Sequence, residues 1–448
     1  MEHNGRQNVH SRKHRHIGVT SLVLAIVLSP VVMSSAKVMS SASAMTSASA
    51  PTSAIKAGHL IDPSGKSIAN ATIVIENDRI TSVGTGAPPS GADVIDLSSY
   101  TIVPGMIDVH THMTYFWDGQ PGTRPRGGTR LPAVSMVLAQ ANLKKTLATG
   151  VTTVRDMNAA EYTDVAMRDL IRMGAFVGPR MFVVGYGLGV TRQPYRPGTA
   201  PGPGTADGPA EVMLRVRQQI AAGVDWIKMF GSTGSFEDVT QNETFTFEEM
   251  KAAVDTAHAL GKRIAIHSYG PAGARDAVRA GADSVEHATD MDDETIAEMV
   301  KRGTWYVPTI DHNRYYADHA AEYGFAPGSI EGLNSFIARN LETTRKALKA
   351  GVKVAMGSDA VYTMFGENTR ELGWLVKAGM TPAQALYAAT MGGATLLGQE
   401  KSLGAVSPGY FADLVAIDGD PLKDVNALIT GVKWVMKGGQ VVVDRRSH

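Results

Sequence analysis

Pro104-Gly105-Met106-Ile107-Asp108-Val109-His110-Thr111-His112 is a short apolar run that closes on two histidines one residue apart. In an extended strand, residues i and i+2 project from the same face, so the two imidazoles can reach one cation. Taken alone, the pair is better explained as two polar residues in a loop. Four further residues change that balance, because each stands at or just after a later strand-like run: Lys228, His267, His287 and Asp359.

The middle of the chain alternates strand-like runs with helical stretches. The strand candidates are Met106–His110, Thr152–Asp156, Arg180–Val184, Trp226–Phe230, Arg263–His267, Ser284–His287, Trp305–Pro308 and Val352–Gly357. Glycines suited to the residue after a helix recur before the next strand, at Gly150, Gly223, Gly281, Gly303 and Gly351. Eight such units predict an α/β fold, a TIM-like (β/α)8 barrel rather than an open doubly wound sheet.

Both ends of the chain carry short alternating runs between turn signals, which is typical of antiparallel strands. The runs are Ala54–Gly58, Thr72–Glu76, Ile80–Val83, Ala412–Ile417, Val432–Met436 and Gln440–Val443. We therefore expect one small satellite domain built from both ends. The predicted organisation is a leader at 1–50, a barrel at 104–400 and a small β-sandwich domain at 51–103 and 401–448.

The composition limits the partners and the chemistry that the protein can use. The 43 basic and 43 acidic residues balance, so no field of one sign favours nucleic acid or an anionic membrane as a partner. A small-molecule substrate fits better. The absence of cysteine excludes disulfides, thiolate metal sites and a cysteine nucleophile, so any metal must be held by nitrogen and oxygen.

The first 50 residues have the order of a secretory signal peptide. Arginines and a lysine precede the apolar run Ser21–Leu28, and small residues including Ala42-Ser43-Ala44 follow it. The run is too short for a comfortable membrane span. We expect export to the periplasm or the extracellular space, with an uncleaved anchor as the alternative.

Chemistry in such barrels lies at the C-terminal ends of the strands, where all six candidate side chains would converge. An inward lysine is unexpected there, because its ammonium would repel cations. Carboxylation by CO2 would turn Lys228 into an anionic oxygen bridge between two metals. If Lys228 stood alone, a lysine paired with a carboxylate at the barrel rim would be the better interpretation.

The pattern resembles the metal-dependent amidohydrolase superfamily, in its binuclear branch of imidazolonepropionase-like proteins, Xaa-Pro and Xaa-Arg dipeptidases and ochratoxin-hydrolysing amidases. The resemblance rests on Pro104–His112, Asp225-Trp226-Ile227-Lys228, His267-Ser268-Tyr269, Ser284-Val285-Glu286-His287 and Gly357-Ser358-Asp359. It also includes Gly404–Asp413, which is similar to the return of the chain into the β-sandwich of these enzymes.

The resemblance implies a role for each residue. His110 and His112 would bind the more buried metal with Asp359, carboxylated Lys228 would bridge both metals, and His267 and His287 would bind the second. Two Zn²⁺ ions are the default for nitrogen and oxygen ligands. Asp359 would also be catalytic, by accepting a proton from a metal-bridging hydroxide and passing it to the leaving amine.

Four residues are candidates for substrate binding. Tyr269 shares the strand face of His267 and resembles a substrate-holding tyrosine of the dipeptidases, although a tyrosine packed at the rim is as good an interpretation. His312 is expected on the loop after the seventh strand. Arg192 and Arg196 stand where many dipeptidases carry a Thr-Gly-Gly-His segment that this chain lacks, and either could hold a carboxylate or be solvated.

The resulting hypothesis is a binuclear amidohydrolase that cleaves a dipeptide, an N-acyl amino acid or an aryl amide such as an ochratoxin-like compound. Alternatives are a cyclic amidase, carbamate hydrolase or deaminase acting on a heterocycle, and a metal-containing envelope protein that only binds. Retention of Asp359, which a purely structural metal site would not need, argues against the last. The resemblance also favours a homo-oligomer.

Overall fold

The structure is a computed structural model that describes residues 52–117, 131–191, 202–232 and 242–446. The predicted leader and the arginines at 192 and 196 lie outside the described residues. Among the helices of the described residues, none is both long and apolar enough to cross a membrane.

The strands of the described chain follow one another in fourteen segments. They are β1 Thr52–Ile61, β2 Ser67–Glu76, β3 Arg79–Gly84, β4 Asp93–Pro104, β5 Met106–Thr111, β6 Val151–Asp156, β7 Arg180–Val183, β8 Trp226–Phe230, β9 Arg263–Ser268, β10 Ser284–His287, β11 Trp305–Val307, β12 Leu414–Ile417, β13 Val432–Lys437 and β14 Gln440–Asp444. The parallel strands β5 to β11 begin and end within one residue of the predicted bounds. The structure therefore confirms the predicted positions of these seven strands.

Helices connect the parallel strands and extend beyond them. They are α1 Pro132–Ala148, α2 Thr163–Arg172, α3 Pro209–Ala221, α4 Phe247–Ala259, α5 Pro271–Ala280, α6 Asp293–Arg302, α7 Ile310–Asp318, α8 Ala320–Tyr323, α9 Pro327–Ala350, α10 Glu371–Lys377, α11 Pro382–Tyr387, α12 Gly393–Leu397 and α13 Asn426–Thr430. Local signals start and stop several of them. Thr246 and Glu249 form a capping box at α4, and Gly281 ends α5 with a φ of 99° that suits glycine.

The parallel strands form two ladders, β5-β6-β7 and β11-β10-β9-β8. Backbone hydrogen bonds link the ladders at one side, where the amide of Leu188 after β7 donates to the carbonyl of Lys228 in β8 over 2.8 Å. At the other side the predicted strand Val352–Gly357 is not a regular strand: it makes an isolated bridge at Val354, and a second isolated bridge follows it at Ala360. Together with the connecting helices, these ladders define a TIM-barrel-like α/β fold.

The segment after β11 approaches its neighbours closely. The amide of Tyr306 donates to the carbonyl of Lys353 over 2.8 Å, and the amide of Asp359 donates to the carbonyl of His110 over 2.7 Å. A Cβ atom at Gly357 would collide with Val307 and lie 2.9 Å from the Cβ of His110. Glycine therefore lets this segment enter between β11 and β5 without a side chain of its own.

The two chain ends form one seven-stranded sheet in the order β14-β13-β12-β4-β1-β2-β3. β12 from the C-terminal end pairs antiparallel with β4 from the N-terminal end, and the fully buried Trp434 packs in the core beneath them. Asp413 joins this sheet to the parallel strands, because its side chain lies 2.9 Å from Arg180 and its carbonyl accepts from the amide of Gly105. The expected joining of both ends is thus observed, whereas the sandwich stays a prediction.

Candidate active site

His110, His112 and Asp359 form a compact buried group at the ends of β5 and the eighth segment. Their ligand atoms all lie within 4.8 Å of one another. The Nε2 atoms of His112 and His110 lie 3.1 Å and 3.5 Å from Oδ1 of Asp359. One cation can therefore be reached by two imidazole nitrogens and a carboxylate oxygen, which is a common ligand set for zinc.

The backbone conformation of Asp359 sets the direction of its side chain. Its φ of 53° lies in the left-handed region, which non-glycine residues adopt rarely and mainly at functional or strained positions. The preceding residue anchors this turn, because Ser358 donates from its amide and its hydroxyl to the carboxylate of Asp108 over 2.9 Å and 2.5 Å. Burial raises the pKa of Asp108 to about 6, against these hydrogen bonds and that of Asn368.

His267 and His287 lie beside this group. The ring centre of His287 is 4.5 Å from that of His267 and 4.8 Å from that of His110. Strand alternation would place His287 opposite Glu286, but its φ of 74° at the end of β10 brings both residues into the site. The Nδ1 atom of His287 lies 2.6 Å from the hydroxyl of Thr309, so its Nε2 atom is left for a ligand.

Lys228 is buried in the same centre, with 1% of its surface exposed. Its Nζ atom has no hydrogen-bond partner among the described residues. Burial lowers the pKa of the Lys228 amine to about 8, although Glu286 and Asp359 act in the opposite direction. A buried ammonium without a partner is costly, so burial favours the neutral form of this amine.

His110, His267 and His287 are held as neutral bases. Burial, followed by the nearby Lys228, lowers the pKa of His110 to about 4. Burial also lowers the pKa values of His267 and His287 well below the ordinary value. Although burial raises the pKa of Asp359, the surrounding histidines hold it well below its usual range. Neutral imidazoles around an ionised carboxylate are ready to bind a cation.

A buried polar network beneath His110 was not anticipated from the sequence. Glu286 accepts from Nδ1 of His110 over 2.7 Å and from Nη2 of Arg155 over 2.8 Å, and Arg155 also donates to the hydroxyl of Ser284. Burial opposes its charge, but Arg155 and His110 bring the pKa of Glu286 down to about 2. Such a carboxylate fixes the tautomer of a ligating histidine.

The available signals for this network were weak. Glu286 lies in the Ser284–His287 run, whose pattern predicts no role for it, and Arg155 is a charged residue inside the buried strand β6. Since buried arginines require partners, Arg155 indicated a buried acid, but not which one.

Tyr269 and His312 are the two substrate-binding candidates that lie within the described residues. Tyr269 lies at the site, with its ring edge-on to His267 at 4.5 Å. His312 was expected on a loop, and this is wrong: it lies in the first turn of α7, with 7% of its surface exposed. Its Nδ1 atom is 2.7 Å from the carbonyl of Asp359, and its Nε2 atom is 3.4 Å from Oδ2. The sequence therefore predicts that His312 lies near the site, but it does not predict that His312 belongs to a helix.

A distant carboxylate explains why α7 starts here. Thr309 before the helix provides no side-chain cap, but Glu371 accepts from the amides of Ile310 and Asp311 over 3.0 Å and 2.9 Å. These are two of the unpaired N–H groups at a helix N-terminus. Because the cap comes from about 60 residues along the chain, local sequence signals could not reveal it.

The fold and the site together define a hydrolase of the TIM-barrel-like α/β class. Residues 101–442 match the description "Amidohydrolase family", so the chain belongs to this family and is an enzyme that hydrolyses carbon–nitrogen bonds.

Three relatives show the range of the family. Ochratoxinase from Aspergillus niger is 30% identical over 422 residues, which cover 86% of each chain. A solved Xaa-Pro dipeptidase with methionine bound in its active site is 33% identical, with a TM-score of 0.79, and the match covers 87% of this chain and 99% of that one. Imidazolonepropionase from Micrococcus luteus is 24% identical and matches 80% of this chain and 90% of its own.

Proposed function

We propose that this enzyme is a binuclear metal amidohydrolase that cleaves an amide in a dipeptide, an N-acyl amino acid or an aryl amide. The observation that carries the proposal is the buried convergence of Asp359 and four histidines around Lys228, whose amine has no partner among the described residues. The ochratoxinase and Xaa-Pro dipeptidase relatives support an amide substrate.

The described residues fit two divalent cations, for which Zn²⁺ suits the nitrogen and oxygen donors. His110, His112 and Asp359 would hold one ion, and His267 and His287 the other. Lys228 would bridge them after carboxylation by CO2, which forms an N–C bond and releases one proton from the amine. The depressed amine pKa supports this step, because only the neutral amine attacks CO2.

The two ions would supply an activated water and polarise the scissile carbonyl. The protein groups carry out the proton transfer. Asp359 is ionised, so one of its carboxylate oxygens can accept the proton that water loses as it attacks the carbonyl carbon. The same carboxyl group then delivers that proton to the nitrogen of the leaving amine when the C–N bond breaks. Nδ1 of His312 anchors the Asp359 carbonyl and keeps this carboxylate in place.

The test is to replace Lys228 with alanine and to measure metal content and amide hydrolysis on the full chain. We expect Lys228→Ala to bind fewer than two ions and to lower kcat/KM by more than about 100-fold. Added acetate should restore part of the activity by filling the vacated oxygen position. Lys251→Ala, at a surface lysine whose side chain is 45% exposed, is the matched control. Purified protein without divalent metal, or full activity in Lys228→Ala, would contradict the proposal.

A second candidate is hydrolysis of a cyclic amide, which the imidazolonepropionase relative favours. A substrate panel that contains dipeptides, N-acyl amino acids, aryl amides and cyclic amides separates the two. Metal bound in the two-ion ratio without turnover of any amide would instead indicate a protein that only binds.

Finer features of the architecture belong to the same proposal. We propose that the eight strand segments close into one barrel, that the chain-end sheet is part of a β-sandwich, and that the protein is an exported homo-oligomer. The hydrogen bonds of Asp359 to β5 and of Lys353 to β11 support the first point.

A further inference from the structure

Three half-buried tyrosines border the candidate metal centre on one side, and we call them the tyrosine wall: Tyr115, Tyr316 and Tyr362. The ring of Tyr115 stacks on His112, with centres 4.7 Å apart and planes inclined by 28°. Tyr316 meets His312 edge-on at 4.6 Å. Tyr362 stacks against Tyr115 at 5.8 Å. The wall therefore begins at two histidines that adjoin Asp359.

Two further aromatic residues, Tyr323 and Trp117, support the tyrosine wall. The ring of Tyr323, which is 8% exposed, lies 5.1 Å from Tyr316 and 6.3 Å from Tyr362. The buried ring of Trp117 lies 5.1 Å from Tyr323. Rings held by neighbouring rings lose little further freedom when a ligand binds, so the wall is already arranged for binding.

The wall combines apolar aromatic rings with polar hydroxyl groups. The hydroxyl of Tyr115 accepts a hydrogen bond from Nδ2 of Asn158 over 2.8 Å, which leaves its own proton to donate. Burial raises the pKa of Tyr115 above its ordinary value, so this hydroxyl stays neutral. Aromatic rings prefer offset-stacked or edge-to-face partners at 4.5–7 Å, and such a pair adds attraction beyond area burial.

We propose that the tyrosine wall is the binding site for an aromatic ring of the substrate, next to the scissile amide. This proposal rests on the proposed amidohydrolase function and narrows it to aryl or arylalkyl amides. An isolated surface tyrosine, such as Tyr387 with 42% of its surface exposed, gives no such indication. The tyrosine wall is a different arrangement, because Tyr115 and Tyr316 contact the two histidines that adjoin Asp359 and Tyr362 stacks on Tyr115.

The experiment compares matched amides whose ring is aromatic, saturated or absent. On the amine side these are N-acetylphenylalanine, N-acetylcyclohexylalanine and N-acetylalanine; on the acyl side they are benzoyl-, cyclohexanecarbonyl- and acetylglycine. The cyclohexyl group matches the phenyl group in apolar area but lacks its flat face and quadrupole. With the metal-loaded wild-type enzyme, we expect kcat/KM for the phenyl compound of at least one series to exceed that for its cyclohexyl partner by about three- to tenfold.

Two variants assign this preference to the wall. Tyr362→Leu and Tyr316→Leu should each reduce the phenyl-to-cyclohexyl ratio towards one, mainly through KM, because leucine keeps apolar area but has no ring. Tyr387→Leu should leave the ratio as in the wild type.

The outcomes separate the two proposals. Absence of hydrolysis of every amide would overturn the proposed function itself. Hydrolysis with equal kcat/KM for phenyl and cyclohexyl compounds in both series would overturn the tyrosine wall alone. Equal losses for all substrates in Tyr362→Leu and Tyr316→Leu would also overturn it, since that pattern shows a structural role.

Discussion

The two halves of the candidate metal centre are held in different ways. In the inner half, formed by His110, His112 and Asp359, the protein holds two of the three residues: Glu286 orients His110, and Asp359 is fixed through its backbone, whereas Nδ1 of His112 has no partner among the described residues. In the outer half, formed by Lys228, His267 and His287, Thr309 orients His287, but no described residue hydrogen bonds to the Lys228 amine. Hydrogen bonds within the fold therefore hold most of the inner half, whereas the buried amine of the outer half has none among the described residues.

Metal removal is the strongest test of this difference. During dialysis against a chelator, we expect metal content to fall in two phases, with the ion of the outer half leaving first and taking essentially all activity with it. Metal analysis and activity measured on the same samples check this order. In a His267→Ala variant only the slow phase should remain. Loss of both ions in a single phase would show that the halves are equivalent.

Glu286→Gln tests the inner half. The amide cannot accept from both Nδ1 of His110 and the Arg155 guanidinium as the carboxylate does, so we expect a fall of about 10–100-fold in metal affinity or kcat/KM. Titration with Zn²⁺ and steady-state kinetics measure it. Glu342→Gln, at a side chain that is 55% exposed, is the control. If the slow phase of metal loss were unchanged, the network would have no role in holding the inner ion.

Thr309→Ala makes the corresponding change in the outer half. It removes the hydroxyl that lies 2.6 Å from Nδ1 of His287, and we expect a loss of about tenfold in affinity for the outer ion. Thr309→Ser retains the hydroxyl and should restore most of the affinity. A serine variant as defective as alanine would indicate that the residue acts through the backbone, whose φ is 51°, and not through His287.

Substitutions at Glu371 should have the smallest effect on activity among these variants, but a clear effect on the free energy of unfolding. Glu371→Gln keeps one acceptor for the α7 N-terminus, whereas Glu371→Leu leaves the amides of Ile310 and Asp311 unpaired and should cost about 2–4 kcal/mol. Denaturant unfolding measures both. Similar unfolding free energies for the leucine and glutamine variants would contradict the capping role.

The contribution of Glu371 to stability should decrease as the pH rises. Burial raises the pKa of Glu371 well above its ordinary value of 4.5. The folded state therefore holds this proton more tightly than the unfolded state, and the contribution is fully present below pH 4.5. It is lost as the pH rises towards the folded pKa. Unfolding measured from pH 4.5 upwards should show this fall in the wild type but not in Glu371→Gln.

The sequence by itself determined the elements whose signals are local. Histidines two residues apart on a strand share a face, and glycine after a helix permits the left-handed φ seen at Gly281 and Gly303, so the parallel strands could be located almost to the residue. The order of the motifs also identified the six candidate ligands. Only the pattern of residues along the chain was needed for these conclusions.

Only the tertiary structure shows which side chains hold the candidate site residues in place. Glu286 reaches His110 across 176 residues, and Glu371 caps the helix of His312 from about 60 residues away. The tyrosine wall likewise joins Tyr115 to Tyr362, which are far apart in sequence but 5.8 Å apart in space. Hydrogen bonds and ring contacts depend on distance in space, and no local periodicity records which distant side chains the fold brings together.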